Sequence, residues 1–110
     1  MMTTVTVDPV LVRFRQALDE VYGPQRIERV VLFGSRARGD AGPESDYDLA
    51  VFLHGMDRAG RFAEMNRLAD LSTDILDETG QFVHAMPYRA GSYNEPTPLM
   101  LGIRTDGIEL

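Results

Sequence analysis

The chain has 110 residues, 44% of them hydrophobic, and a formal net charge of −6. That size suits one domain with a sizeable core, and the acidic balance argues against generic nucleic-acid binding or attraction to anionic membranes. Cysteine is absent and all 11 cationic residues are arginine, which excludes disulfides, thiolate metal sites and any lysine-dependent phosphate loop or Schiff base.

The opening MMTTVTVDPVLVRFRQ has no basic region followed by an apolar run, and no segment approaches membrane-spanning length. A soluble, cytoplasmic protein is expected. Asp8-Pro9 reads as an N-cap with proline at the first helical position, and Leu11, Phe14, Leu18 and Val21 follow at helical spacing until Gly23-Pro24. The first helix is therefore predicted over 9–22. IERVVLF (27–33) is a short, β-branched, buried strand, and DYDLAVFL (46–53) is a second. Asp57 can cap a long helix ending at Gly80, with Phe62, Met65, Ala69, Ser72, Ile75 and Leu76 on its core face. QFVHAMPY (81–88) reads as a third strand. Pro96 to Asp106 reads as a short helix closed by Gly107, with Ile108 to Leu110 docking the tail. The alternation predicts one α/β (α+β) domain over 1–110.

The chemistry is concentrated between the first two strands. Gly34-Ser35 follows a buried strand directly, and RARG can start a short helix whose leading N–H groups bind phosphate. Glycine permits close backbone approach, and the Ser35 hydroxyl can either bond a phosphate oxygen or cap the helix. Asp46 and Asp48 are two apart on a strand, so their side chains leave one face and Tyr47 the other. Two adjacent carboxylates call for a cation between them, and Mg²⁺, held by one or two carboxylates plus substrate phosphates, meets that need. Arg36 and Arg38 point to different sides of the short helix; at least one is expected in a structural ion pair with nearby acids, and contact with a triphosphate stays open to either. Asp40 and Glu44 read as solvated loop acids, and His54 as a surface loop residue.

Gly34-Ser35, the ten residues 36–45 and Asp46-Tyr47-Asp48, within GSRARGD…SDYDLAVF, resemble the signature of the DNA polymerase beta-like nucleotidyltransferases, especially the minimal bacterial and archaeal members. The resemblance implies a mixed β-sheet with helices packed mainly on one side. It also implies Mg²⁺-dependent transfer of a nucleoside monophosphate, AMP from ATP, to an acceptor hydroxyl. Gly34 and Ser35 would bind nucleotide, and Asp46 and Asp48 would be the catalytic metal ligands. Family members usually carry a third carboxylate on the strand after the long helix; QFVHAMPY has none, and Val83 or His84 occupies that place depending on register. His84 could take a proton, with an ordinary pKa of about 6.5, but cannot replace a carboxylate's charge. Read apart from the resemblance, it is a packing or surface histidine.

At 110 residues no acceptor-binding domain is expected within the chain. The acceptor is therefore expected to be small or to be recognised by another chain, which could be an unrelated substrate-binding subunit or a second copy of this one. The resemblance implies a helical partner of the HEPN type, with this chain as antitoxin of a toxin–antitoxin module. Tyr88, Tyr93, Pro96, Pro98, Leu99 and Met100 are candidates for that interface, and the same cluster reads equally as the packing of a terminal helix, the reading favoured for Leu99. The alternative is a nucleotide-binding module, impaired in catalysis, that occludes a partner.

Overall fold

The computed structural model describes residues 8–110; the expectation that the chain opens without a leader falls on residues 1–7, outside the described range. Asp8 caps helix α1 (Pro9–Tyr22) by accepting from the Val10 and Leu11 amides at 2.9 and 3.4 Å. Strand β1 (Ile27–Phe33) leads into the single turn of α2 (Ser35–Arg38), and strand β2 (Tyr47–Leu53) follows. Helix α3 (Arg61–Thr79) crosses over to strand β3 (Val83–Arg89). Helix α4 (Pro98–Asp106) and strand β4 (Ile108–Glu109) complete the described chain. No described helix is long and apolar enough to cross a membrane.

The sheet has the order β3-β2-β1-β4, with β1 antiparallel to both β2 and β4 and β2 parallel to β3. The docked tail is thus a strand: Val31 faces Glu109 and Leu32 faces Ile108. Alternation splits the sheet's side chains between two cores. On one face Val30, Leu32, Leu49, Val51 and Leu53 meet Phe14 and Leu18 of α1 and Leu68 and Ile75 of α3. On the other, Val31, Ala50 and Phe52 meet Met100 and Ile103 of α4. The two long helices therefore share one face, as expected, and α4 covers part of the opposite one.

Two expectations need correction. The long helix starts at Arg61, because Asp57 caps the turn before it, accepting from the Gly60 amide at 2.7 Å. Its core face carries Glu64, Leu68, Leu71, Ser72 and Ile75, whereas Phe62 is 71% exposed and Leu76 41%. Phe62, Met65 and Ala69 instead line a groove with Phe82, His84 and Met86. Buried Glu64 sets this rotation of α3: it accepts from Tyr22 Oη at 3.1 Å and Arg26 Nη2 at 2.7 Å, and Arg67 Nε lies 3.3 Å away. A buried carboxylate persists only with such partners.

Strand β3 is the sheet's edge, and its open side is blunted. The Tyr47 amide bonds Phe82 O, and the Ala90 amide bonds Leu53 O, so even-numbered backbone groups face β2 and odd-numbered ones face outward. Val83 O accepts from Ser72 Oγ at 2.6 Å, and Pro87 has no N–H to offer. Proline at such a position discourages pairing with another strand.

Candidate functional site

The site forms where β1 ends and β2 and β3 begin. Gly34 has φ 76° and ψ −158°, a left-handed φ that glycine adopts at no steric cost. Its hydrogens face Asp48: a Cβ there would lie 2.6 Å from Asp48 Oδ2. Glycine is thus demanded twice, by the backbone and by the carboxylate against it.

Gly34 also precedes α2, and its carbonyl accepts from the Ala37 and Arg38 amides, both at 3.1 Å. The Ser35 and Arg36 amides stand ahead of those first bonds, at the head of the turn. Gly34 takes the N-cap place, with no side-chain cap. Ser35 Oγ bonds no protein atom among the described residues, so the capping role open to it in the sequence is not the one it has.

Asp48 projects from the face of β2 that carries Ala50 and Phe52, with 34% of its side chain exposed. Asp46 immediately precedes β2 and is exposed. Tyr47, between them, turns into the opposite core and donates to Asp8 Oδ2 at 2.9 Å. Burial, then this bond to Asp8, raises the Tyr47 pKa, so the hydroxyl remains a donor. One residue thereby ties the start of β2 to the cap of α1.

The loop carrying Asp46 is fastened by Arg36. Its Nη2 and Nε donate to Ser45 O at 2.7 and 3.1 Å, its Nη2 reaches Pro43 O at 3.4 Å, and its guanidinium lies 4.2 Å from the Tyr47 ring centre. Arg38 points away from it and pairs with Asp40 at 3.1 Å and Asp106 at 3.4 Å, joining α2 to the end of α4. Arg38 is therefore the structural ion pair, and Arg36 a clamp on carbonyls that the sequence did not disclose. Asp40, Glu44 and His54 are exposed, as expected.

The register of β3 decides between Val83 and His84. Tyr47 pairs with Val83, and Asp48 with His84. Val83 is fully buried in the helix-side core, whereas His84 Nδ1 lies 3.7 Å from Asp48 Oδ1 with 56% of its side chain exposed. His84 holds the place beside Asp48.

Neither Asp46 nor Asp48 accepts a protein hydrogen bond among the described residues. Asp48 sets its uncommitted oxygens beside Gly34, and hard oxygens of this kind suit a divalent cation shared with phosphate. No group of three or more histidine, aspartate or glutamate side chains placed to hold a metal occurs among the described residues.

The family model Polymerase beta, Nucleotidyltransferase matches residues 16–89, more than half of the chain and both strands of the site. The chain belongs to this family. Solved structures share the nucleotidyltransferase fold. A protein provisionally assigned as a nucleotidyltransferase, from Sulfolobus solfataricus, aligns with TM-score 0.64 and 20% identity over 91% of this chain and 75% of its own. A toxin–antitoxin solved with AMP-PNP aligns with TM-score 0.56 and 20% identity over 88% of this chain and 69% of its own. A variant of the toxin–antitoxin MntA-HpeT gives 0.55 and 21% over 90% and 70%. At such identities the likeness shows the fold. A search of curated proteins finds no match.

The residues considered for a partner surface divide. Met100 is buried, and Tyr88 and Tyr93 pack on Phe52 with ring centres 5.6 and 5.5 Å apart. Leu99, expected to pack, is instead half exposed on α4, at 50%, as is Leu101, which the sequence did not single out, at 51%.

Proposed function

We propose that residues 1–110 form one nucleotidyltransferase domain that moves AMP from ATP to an acceptor hydroxyl on a partner protein, with Mg²⁺ at Asp46 and Asp48. The observation that carries this reading is the contact of Gly34 with Asp48, where a Cβ would fall 2.6 Å from the carboxylate. It supports a triphosphate bound against the turn and a metal bound by the aspartates at the same point.

In this reading Gly34 lets the triphosphate approach the backbone, and the Ser35 hydroxyl and leading amides of α2 donate to its oxygens. Asp46 and Asp48 are the residues that would hold a divalent ion beside the transferred phosphoryl group. Such an ion would supply positive charge against the charge that develops on the phosphate oxygens as pyrophosphate departs. His84, beside Asp48, can accept the proton of the acceptor hydroxyl, because a neutral imidazole is a base near neutral pH. The likeness to toxin–antitoxins motivates the remaining assignments: a helical, HEPN-type protein as acceptor, an antitoxin role for this chain, and a cytoplasmic setting.

Thermal unfolding tests the site. Mg-ATP raises the midpoint of wild type by linkage, more than ATP with a chelator does. Asp46→Asn and Asp48→Asn together abolish the Mg²⁺-dependent part, and an unchanged shift would place the site elsewhere.

His84 in the position of the third carboxylate favours one second reading, a module that binds Mg-nucleotide and occludes its partner without modifying it. Co-expression with the adjacent reading frame and intact-mass measurement separates the two. An AMP mass on a co-purified partner supports transfer, and a retained but unmodified partner supports occlusion. A partner-free protein that modifies a small hydroxyl compound alone contradicts both.

A further inference from the structure

A second cavity, of about 410 Å³, lies between the turn after β2, the end of β3 and the start of α4. It is remote from Asp48, the second residue of β2: the five residue steps from Asp48 to Leu53 span about 16 Å of strand. Arg58 and Arg61 both line it, along with Tyr88, Met56, Leu99 and Met100.

Every other arginine in the chain has a carboxylate or carbonyl partner. Arg58 and Arg61 have neither among the described residues. The Arg61 guanidinium reaches only Met65 Sδ at 3.6 Å and the face of Tyr88, 5.9 Å from the ring centre. In an acidic chain, two unpaired guanidiniums at one cavity stand out from the rest of the charge pattern.

The other charged groups lining the cavity are engaged. Glu95 lies 3.5 Å from Arg89, and Asp57 Oδ1 caps the Gly60 amide at 2.7 Å. Burial raises the Tyr88 pKa, against the opposing pull of Arg61, so its hydroxyl remains a donor; it bonds no protein atom among the described residues.

We infer that this cavity binds a phosphate monoester carrying an aromatic or other apolar group. A guanidinium presents a planar fork that one carboxylate satisfies. Two forks call for an anion with more oxygens and more charge, and a phosphate monoester offers three terminal oxygens and nearly two charges. Tyr88 donates a further bond. Met56, Leu99 and Met100 form the apolar wall against which the ester group packs.

Calorimetric titration of the full chain with phenyl phosphate, in chelator so that the aspartate site holds no metal, tests this. Saturable binding is expected, tighter than for benzoate or inorganic phosphate. Arg58→Ala and Arg61→Ala should each weaken it about tenfold or more, the loss expected of one charge-assisted pair. Arg61→Lys, which keeps the charge and loses the fork, should weaken it less than Arg61→Ala. Asp48→Asn should leave it unchanged. Circular dichroism checks that each variant is folded. Absence of saturable binding, equal affinity for benzoate, indifference to both alanine variants, or loss in Asp48→Asn overturns the inference.

Discussion

A methyl group at position 34 would sit 2.6 Å from Asp48 Oδ2 on a backbone at φ 76°. The two penalties act on different properties. With ψ at −158° this backbone lies in a region open essentially to glycine alone and costs an L residue about 1–3 kcal/mol, which lowers stability. The close approach pushes the Asp48 carboxylate aside, which lowers affinity. Gly34→Ala is therefore expected to lower the unfolding midpoint and also to shrink the Mg-ATP shift by more than that destabilisation explains. Gly39→Ala is the comparison for a positive φ without a close contact, because Gly39 has φ 84° and ψ 11°, in the left-handed helical region, and nothing lies within 4 Å of its Cβ position. Equal loss of the Mg-ATP shift in both variants would show that backbone strain alone is responsible.

Among the elements, α1 and β1 were legible to the residue, because Asp8-Pro9, Gly23-Pro24 and a β-branched run each specify a boundary through local chemistry. The rotation of α3 was not. Two stripes on that helix fit a 3.6-residue period, one through Phe62, Met65 and Ala69 and one through Leu68, Leu71 and Ile75. The deciding residue is Glu64, whose partners Tyr22, Arg26 and Arg67 span three parts of the chain; read alone, a glutamate marks a solvent face. The clamp from Arg36 to Ser45 and Pro43 was hidden for the same reason, since carbonyl acceptors leave no trace in side-chain identity. The Gly-Ser and Asp-x-Asp pairs of the candidate site were visible because residue type and spacing are all that marks them. The placement of His84 awaited the register of β3. The α3 assignment predicts that Leu68→Ala costs about 2–5 kcal/mol, as for buried leucines generally, whereas Phe62→Ser changes stability by roughly 0.5 kcal/mol or less. Urea unfolding of the two variants checks it, and the reverse ranking would restore the first stripe.

Three tyrosines give the whole molecule a pH dependence. Burial, then Glu64, raises the Tyr22 pKa; burial, then the bond to Asp8, raises Tyr47; burial raises Tyr88 against the pull of Arg61. The unfolded chain releases these protons near the ordinary value of 10.0, while the folded chain holds them to higher pH. Above that point the unfolded state binds fewer protons, so the contribution, complete below it, is lost as pH rises towards the folded values. Denaturant midpoints are expected to fall above about pH 10, with a shallower slope in Tyr22→Phe. That variant leaves Glu64 paired with Arg26 and Arg67. A slope unchanged by Tyr22→Phe would remove Tyr22 from the account.

The parallel pairing of β2 with β3 also sets an order of assembly within the site. Gly34 and Asp48 meet through a segment of 14 residues that doubles back on itself, whereas Asp48 and His84 meet only after 36 residues, including all of α3, have crossed the sheet. The longer closure carries roughly 0.8 kcal/mol more chain entropy, and α3 must pack before anything offsets it. The glycine and aspartate half of the site is thus the part a nascent or partly opened chain can still hold. Opening of α3 from the sheet is therefore expected to release His84 before it parts the turn from the Asp48 carboxylate.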